Sequence, residues 1–295
     1  MKIEDIKFNY GENAFQKAEI EMNEKTIDYE ISDNLTYIQL LSVVKGLNLI
    51  SEFYDVKAAC TVKGTGICAV ALGQSLADAV QKVMDSNPID FISSVIVVSS
   101  EVDSEIARFL KDTNIIVAPS FTTNALEILK TRGVNYVTIK TPLKDYKNYI
   151  SNDVKVTPLG TLTQTPNLSE LDKDLFKVVS KQKPTVEQIE DAVFAWKVAK
   201  HNNSQAIVIA KDLKTTAISQ GLQSASVEFA LDYSCDASKD AILASDMAIT
   251  AHDVDVASQG RIGLIILPFA DKEVITKADK YNLAIITTGF TNILY

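Results

Sequence analysis

The run Ala59-Cys60-Thr61-Val62-Lys63-Gly64-Thr65-Gly66-Ile67-Cys68-Ala69-Val70-Ala71-Leu72-Gly73 decides how the rest of the chain is read. A short apolar stretch with β-branched residues delivers one lysine to the mouth of a Gly-Thr-Gly turn. Small apolar residues then lead into Ser75-Leu76-Ala77-Asp78, where Ser75 has the chemistry of a helix N-cap. A strand built this way aims a single ammonium group at a ligand. A surface loop carrying a solvated lysine satisfies the same spacing, so the spacing alone leaves both readings open.

Outward from this run the pattern alternates. Residues 26–31 have strand periodicity, and from Leu35-Thr36-Tyr37 the apolar positions Leu40, Leu41, Val44, Leu47 and Ile50 fall at helical spacing. After the lysine strand, Leu76, Ala79, Val80, Val83 and Met84 form one helix face, which reads as core packing. Asn87-Pro88 ends that helix, and residues 91–98 read as a buried strand. A helix over 104–110, a strand over 115–118 and a strand over 134–139 follow, so the predicted class is α/β, a layered sheet with helices on its faces.

Pro142, Pro158 and Pro166 punctuate the next stretch, where residues 154–163 are the clear strand candidate. The expected organisation is therefore two halves, 1–150 and 178–295, joined by a connecting segment over 151–177. The second half opens with a helix whose capping box is Thr185 with Gln188 and whose buried face is Ile189, Ala192, Val193, Trp196 and Ala199. Lys200 and His201 stand at its C-terminal end, where the dipole favours a cation, and His201 reads as a helix-end residue rather than a catalyst. Strands over 205–212, 262–267 and 283–287, with a helix over 272–279, complete the pattern.

The 295 residues are 46% hydrophobic and 23% charged, the balance of an ordinary globular protein with a sizeable core. The net charge of −9 and the lack of a basic stripe argue against a nucleic-acid or anionic-membrane surface and leave a small-molecule ligand. With only Arg108, Arg132 and Arg261, an anion must be held mostly by lysines, backbone N–H groups or helix N-termini. The start Met1-Lys2-Ile3-Glu4-Asp5 is not a signal-peptide pattern and no apolar run reaches membrane-span length, so the expected location is cytoplasmic. Cys60, Cys68 and Cys235 are expected to be reduced, partly buried thiols.

Taken with its surroundings, the opening run resembles a segment of the aminoimidazole carboxamide ribonucleotide (AICAR) transformylases, in which a Lys-His pair precedes Ala-Asn-Pro-Cys-Gly and Val-Ala-Leu-Gly. Lys63 stands on the lysine, Cys68 on the cysteine and Val70 to Gly73 on the tail, while Gly64 stands on the histidine. Tyr10, Gly11, Glu12, Asn13 and Gln16 match the family's Leu-Arg-Tyr-Gly-Glu-Asn-Pro-His-Gln, with Asn9 in place of its arginine and Phe15 in place of its histidine. Ser93-Ser94 stands on a Gly-Gly pair. Residues 196–212 are similar to Trp-Lys-Val, Ser-Asn-Ala-Ile-Val and Ala-Lys, with Gln205 on an asparagine that in the family contacts the formyl donor. Residues 218–225 occupy the place of a run ending Gly-Gln-Met-Ser-Arg, its arginine replaced by Ala225. Ala244-Ser245-Asp246 matches Ala-Ser-Asp, and Thr291 falls where the family terminus carries arginine.

The resemblance covers nearly the whole chain. It implies two cytidine-deaminase-like subdomains, a homodimer with sites built across its interface, and no IMP cyclohydrolase domain. It implies formyl transfer from 10-formyltetrahydrofolate, as co-substrate, to the 5-amino group of AICAR in purine biosynthesis. It assigns Lys63 as catalytic and Tyr10, Gly11, Glu12, Gln205 and Asp246 to substrate or folate binding, Asp246 at the pterin ring.

Two functional readings follow. One is a divergent formyltransferase; the other is a catalytically silent relative that binds a ligand or a partner chain on the same scaffold, because Gly64 can neither accept nor donate the proton the family histidine handles. A zinc deaminase is not expected. That chemistry needs His-x-Glu and Pro-Cys-x-x-Cys, whereas His201 and His252 precede Asn202-Asn203 and Asp253-Val254, and Cys60 and Cys68 are too far apart.

Overall fold

In the computed structural model, which describes residues 8–21, 25–110, 112–222 and 225–295, the run opening at Ala59 becomes a hairpin at the centre of a large sheet. The first half comprises β1 (Tyr29–Ile31), α1 (Tyr37–Ile50), β2 (Lys57–Lys63), β3 (Gly66–Gly73), α2 (Leu76–Ser86), the one-turn α3 (Pro88–Phe91), β4 (Val95–Val98), α4 (Ser104–Phe109), β5 (Ile115–Ala118), α5 (Thr123–Arg132) and β6 (Asn135–Ile139). A separate ribbon of β7 (Asp153–Thr157) and β8 (Gly160–Gln164) follows. The second half comprises β9 (Lys177–Val178), α6 (Val186–Lys200), β10 (Ile207–Lys211), β11 (Lys214–Ser219), α7 (Ser226–Ser234), β12 (Ile242–Ser245), α8 (Ala251–Gln259), β13 (Leu264–Leu267), α9 (Lys272–Lys280) and β14 (Ala284–Thr287).

Apart from α3, the second half repeats the order of the first. Among the described residues the twelve-stranded sheet runs β1-β6-β5-β4-β2-β3-β11-β10-β12-β13-β14-β9, so each strand lies as far from the central seam as its counterpart. The seam is antiparallel, with Lys214 opposite Ala71, which makes the halves related by a twofold rotation about an axis normal to the sheet. The correspondence reaches single hydrogen bonds. Ala58 N donates to Ser99 Oγ (2.8 Å), and its counterpart Ala206 N donates to Asp246 Oδ1 (2.9 Å).

The sheet is covered on both faces. Helices α1 and α6 pack one continuous core on one face, and α2, α4 and α5, with α7, α8 and α9, close two separate cores on the other. Covering both sides explains why β4, β5 and β13 read as unbroken apolar runs and why β12 and β14 are apolar up to their last residues, Ser245 and Thr287. Helix α1 presses closely on β4: a Cβ on Gly46 would sit 2.4 Å from Val97 Cγ2.

Three local readings change. Residues 66–73 pair back onto β2 as β3 instead of serving only as a lead-in. Asn87 caps α3, with Pro88 at its first position, so residues 88–91 are helical and the strand begins only at Val95. Residues 154–163 are two strands, because Pro158 cannot donate to a ladder and the Thr157 hydroxyl accepts the Leu159 N–H (3.2 Å), turning the chain. No helix among the described residues is long and apolar enough to cross a membrane. Gln223 and Ser224, part of the run matched to Gly-Gln-Met-Ser-Arg, lie outside the described residues.

Candidate functional site

Strand directions gather the candidate residues. The end of β2, the starts of β4 and β5, the end of β11, the start of β10 and the ends of β12, β13 and β14 share one edge of the sheet. Lys63, Ser94, Gln220 and Asp246 stand at or one residue beyond those strand ends, and Gln205 lies two residues before β10.

Lys63 closes β2 with its side chain about half exposed (49%), its Nζ 3.3 Å from Asp90 Oδ1. Gly64 turns the chain at φ +60°, a conformation glycine adopts without strain, and a Cβ there would meet nothing within 4 Å. Side chains from both halves reach the turn. Ser42 on α1 donates its hydroxyl to the Gly64 carbonyl. From the second half, Gln220 lies so close that a Cβ on Gly66 would be 3.2 Å from its Nε2, and its Oε1 accepts the Asn203 N–H (3.0 Å). Gln220 thus lies beside the lysine turn and hydrogen-bonds the loop carrying Gln205.

Asp90 also shapes its neighbours. The Cys68 thiol is pushed up to about 11 by burial and by that carboxylate. The Tyr233 phenol of α7 is raised by partial desolvation and by the Asp90 and Cys68 charges. Lys63, Asp90, Cys68 and Tyr233 therefore form one cluster drawn from both halves.

Asp246 is fully buried. One carboxylate oxygen accepts the Ala206 N–H and the other the Ser204 hydroxyl, and burial raises its pKa against those bonds. As placed, its carboxylate fixes the Ser204–Ala206 loop from below. Gln205, at the head of that loop, donates its Nε2 to the Ala248 carbonyl (3.3 Å). Tyr10, Gly11 and Glu12 lie in a turn closed by Gly11 N on Gln16 O (2.9 Å), and the segment packs on the first turn of α1 through Phe8 against Tyr37 (5.6 Å between ring centroids).

Asp90, Gln220 and Tyr233 are the residues that sequence reasoning missed. For Asp90 a signal existed: Asn87-Pro88-Ile89-Asp90 has the form of a helix start with an acid in the first turn.

His201 is the C-cap of α6, and its ring meets a buried carboxylate that ties the halves together. Glu52, just after α1, receives Lys200 Nζ at 2.8 Å, Lys147 Nζ at 3.1 Å and His201 Nε2 at 3.3 Å. Burial opposes ionisation of Glu52, but the His201 hydrogen bond and the Lys200 charge outweigh it and hold the carboxyl below its ordinary range. Burial keeps the His201 imidazole below its own ordinary value. Among the described residues no group of three or more His, Cys, Asp and Glu side chains is placed to hold a metal ion.

Against known proteins, residues 2–232 match the model of the AICARFT/IMPCHase bienzyme family. The chain is 34% identical over 300 residues to a bifunctional purine biosynthesis protein, PurH, of Caldicellulosiruptor saccharolyticus, covering 96% of this chain and 58% of that protein. It is 31% identical over 296 residues to the PurH of Anoxybacillus flavithermus, covering 95% of this chain and 57% of the relative. The PurH of Acetivibrio thermocellus is 31% identical over 309 residues, covering 98% and 58%. The chain thus spans somewhat over half the length of these relatives. On the family match and these identities, it belongs to the AICARFT/IMPCHase bienzyme family.

Proposed function

We propose that the sheet edge carrying Lys63, Asp90, Gln205 and Asp246 binds AICAR and 10-formyltetrahydrofolate and passes the formyl group between them. The observation that carries this reading is convergence: positions 63, 205 and 246 are remote in sequence, each stands on a family site position by the resemblance, and all three lie at one end of one sheet, with Gln220 between the lysine turn and the Gln205 loop.

The 5-amino group is a weak nucleophile because its lone pair is delocalised into the ring, so it must lose a proton as it attacks the formyl carbon. Lys63 polarises the formyl oxygen and stabilises the tetrahedral oxyanion. Gly64 supplies no imidazole, and the carboxylate of Asp90, 3.3 Å from the ammonium, accepts the amine proton. The new C–N bond forms, the bond from the formyl carbon to the folate nitrogen breaks, and that proton returns to the leaving nitrogen. Gln205 faces the formyl donor, and Asp246, its carboxyl committed to Ser204 and Ala206, acts on the pterin side by fixing the Gln205 loop. Tyr10, Gly11 and Glu12 contact the nucleotide. Because Asn9, Ala225 and Thr291 replace arginines, its phosphate is held by lysines and backbone N–H groups.

In the same reading the halves are cytidine-deaminase-like subdomains over 1–150 and 178–295, joined by 151–177 and needing no zinc; the duplicated element order supports this. A second copy covers the β7–β8 ribbon, whose Val156 (84%), Leu162 (63%) and Leu159 (100%) are exposed. A lone two-stranded ribbon is marginal in water, which supports such a homodimer. Its free thiols support a cytoplasmic location.

A formyl-transfer assay with AICAR, alongside titration with each ligand, tests the proposal. Turnover that falls about 10²- to 10⁴-fold in both Lys63→Ala and Asp90→Asn is the expected result. The second reading, a binding protein without turnover, is favoured by the Lys63–Asp90 ion pair beside an imidazole-free turn. AICAR binding with no transfer would establish it, and binding of neither ligand would overturn both.

A further inference from the structure

A separate cavity of about 290 Å³ lies between α1, the end of α6, the ribbon's flanks and the C-terminal tail. Its lining includes Lys45, Asn48, Ser151, Asp153, Thr165 and His201. The charged groups around it are paired, with one exception. Glu52 is held by Lys147, Lys200 and His201, and Lys200 also donates to the Ser169 carbonyl at 2.7 Å. Asp153 accepts from Gln164 (2.7 Å) and lies 3.8 Å from Lys155 Nζ. Lys45, half-buried on α1, has no ion pair or hydrogen bond among the described residues. Asn48 commits its carbonyl oxygen to the Tyr146 hydroxyl (2.9 Å), which leaves its N–H₂ as a donor.

We propose that this cavity binds a small phosphate-type oxyanion, with the Lys45 ammonium as its counter-ion and Asn48, Ser151 and Thr165 as hydrogen-bond donors. A desolvated ammonium without a counter-ion is a cost to the fold that an anion in the cavity relieves. Burial alone lowers Lys45 to about 8, in keeping with that strain. The volume suits inorganic phosphate or the phosphate end of a small ester. This site is independent of the formyl-transfer reading and of Lys63.

Calorimetric titration of the full chain with inorganic phosphate and with ribose 5-phosphate tests it. Binding at about millimolar strength or tighter is expected near neutral pH. Lys45→Gln should weaken it at least about tenfold, and Lys63→Gln should leave inorganic phosphate binding unchanged. At about pH 8.5, titration in buffers of different ionisation enthalpy should show proton uptake on binding, because the anion returns Lys45 to its charged form. Preference for the ester over inorganic phosphate identifies the source of the group. Lys45→Met, melting no lower than the parent, establishes that such variants fold. Phosphate binding that survives Lys45→Gln at full strength, that is lost in Lys63→Gln, or that is absent up to about 10 mM overturns the assignment.

Discussion

Replacing Glu52 with glutamine removes one charge from a cluster that joins the two halves. The carboxylate and the Lys200 ammonium are both nearly inaccessible, with side chains 7% and 6% exposed and 2.8 Å apart. Glutamine keeps the shape and one acceptor oxygen, yet leaves Lys200 buried with only the Ser169 carbonyl as a firm partner (2.7 Å). Breaking a buried pair from one side costs about 3–5 kcal/mol, far more than the pair's net worth, because an uncompensated charge stays behind. For a chain of this length 1 kcal/mol moves Tm by about 2 °C, so the variant should melt about 6–10 °C lower.

The pH dependence has a definite sign. A carboxyl held below its ordinary value contributes stability that is complete above the unfolded value near 4.5 and is lost as pH falls through the folded value. The gap between parent and variant should therefore narrow on acidification below about 4.5. Calorimetry and urea unfolding across pH read both quantities, and Glu52→Gln combined with Lys200→Met should recover much of the loss. A single-variant cost below about 1 kcal/mol at neutral pH, or a gap that ignores acidification, would refute the reasoning.

The Gly46→Ala variant should lose about 1–3 kcal/mol in urea unfolding, since its methyl would lie 2.4 Å from Val97 Cγ2 between α1 and β4. For Asp246→Ala, two hydrogen bonds to a buried carboxyl vanish, at about 0.5–1.5 kcal/mol each. Amide exchange at Ala206 should then accelerate well beyond that at its counterpart Ala58, which keeps Ser99. In thiol labelling of the native chain, exposed Cys235 should react first, half-buried Cys68 more slowly, and Cys60 only on unfolding, because burial limits access and raises the Cys60 and Cys68 thiols.

The alternating layers were legible because both-face burial writes itself as unbroken apolar runs such as residues 115–118, and because caps such as Thr185 with Gln188 act within one turn. The duplication was harder to see. Its two copies share element order and a hydrogen-bond plan, as in Ser99 and Asp246, but different side chains carry the same duty. Lys63, Gln205 and Asp246 were found by matching motifs. Their convergence was not visible, since it depends on the antiparallel seam that sets the second half's strand ends beside the first half's turn. Asp90 and Tyr233 escaped because their proximity to Lys63 and Cys68 is tertiary, with no spacing that local periodicity records.

The seam also means that the halves cohere without relying on the covalent link. Leu72 N donates to Leu213 O (2.8 Å), Val70 N donates to Thr215 Oγ1 (3.0 Å), and Ser86 Oγ donates to the Thr215 carbonyl across it. The ribbon tip at Leu159 lies outside the large sheet and is fully exposed in the single chain. A break in the chain there severs none of the large sheet's strands, so two separately expressed polypeptides meeting at that tip should associate and complement one another in the test tube.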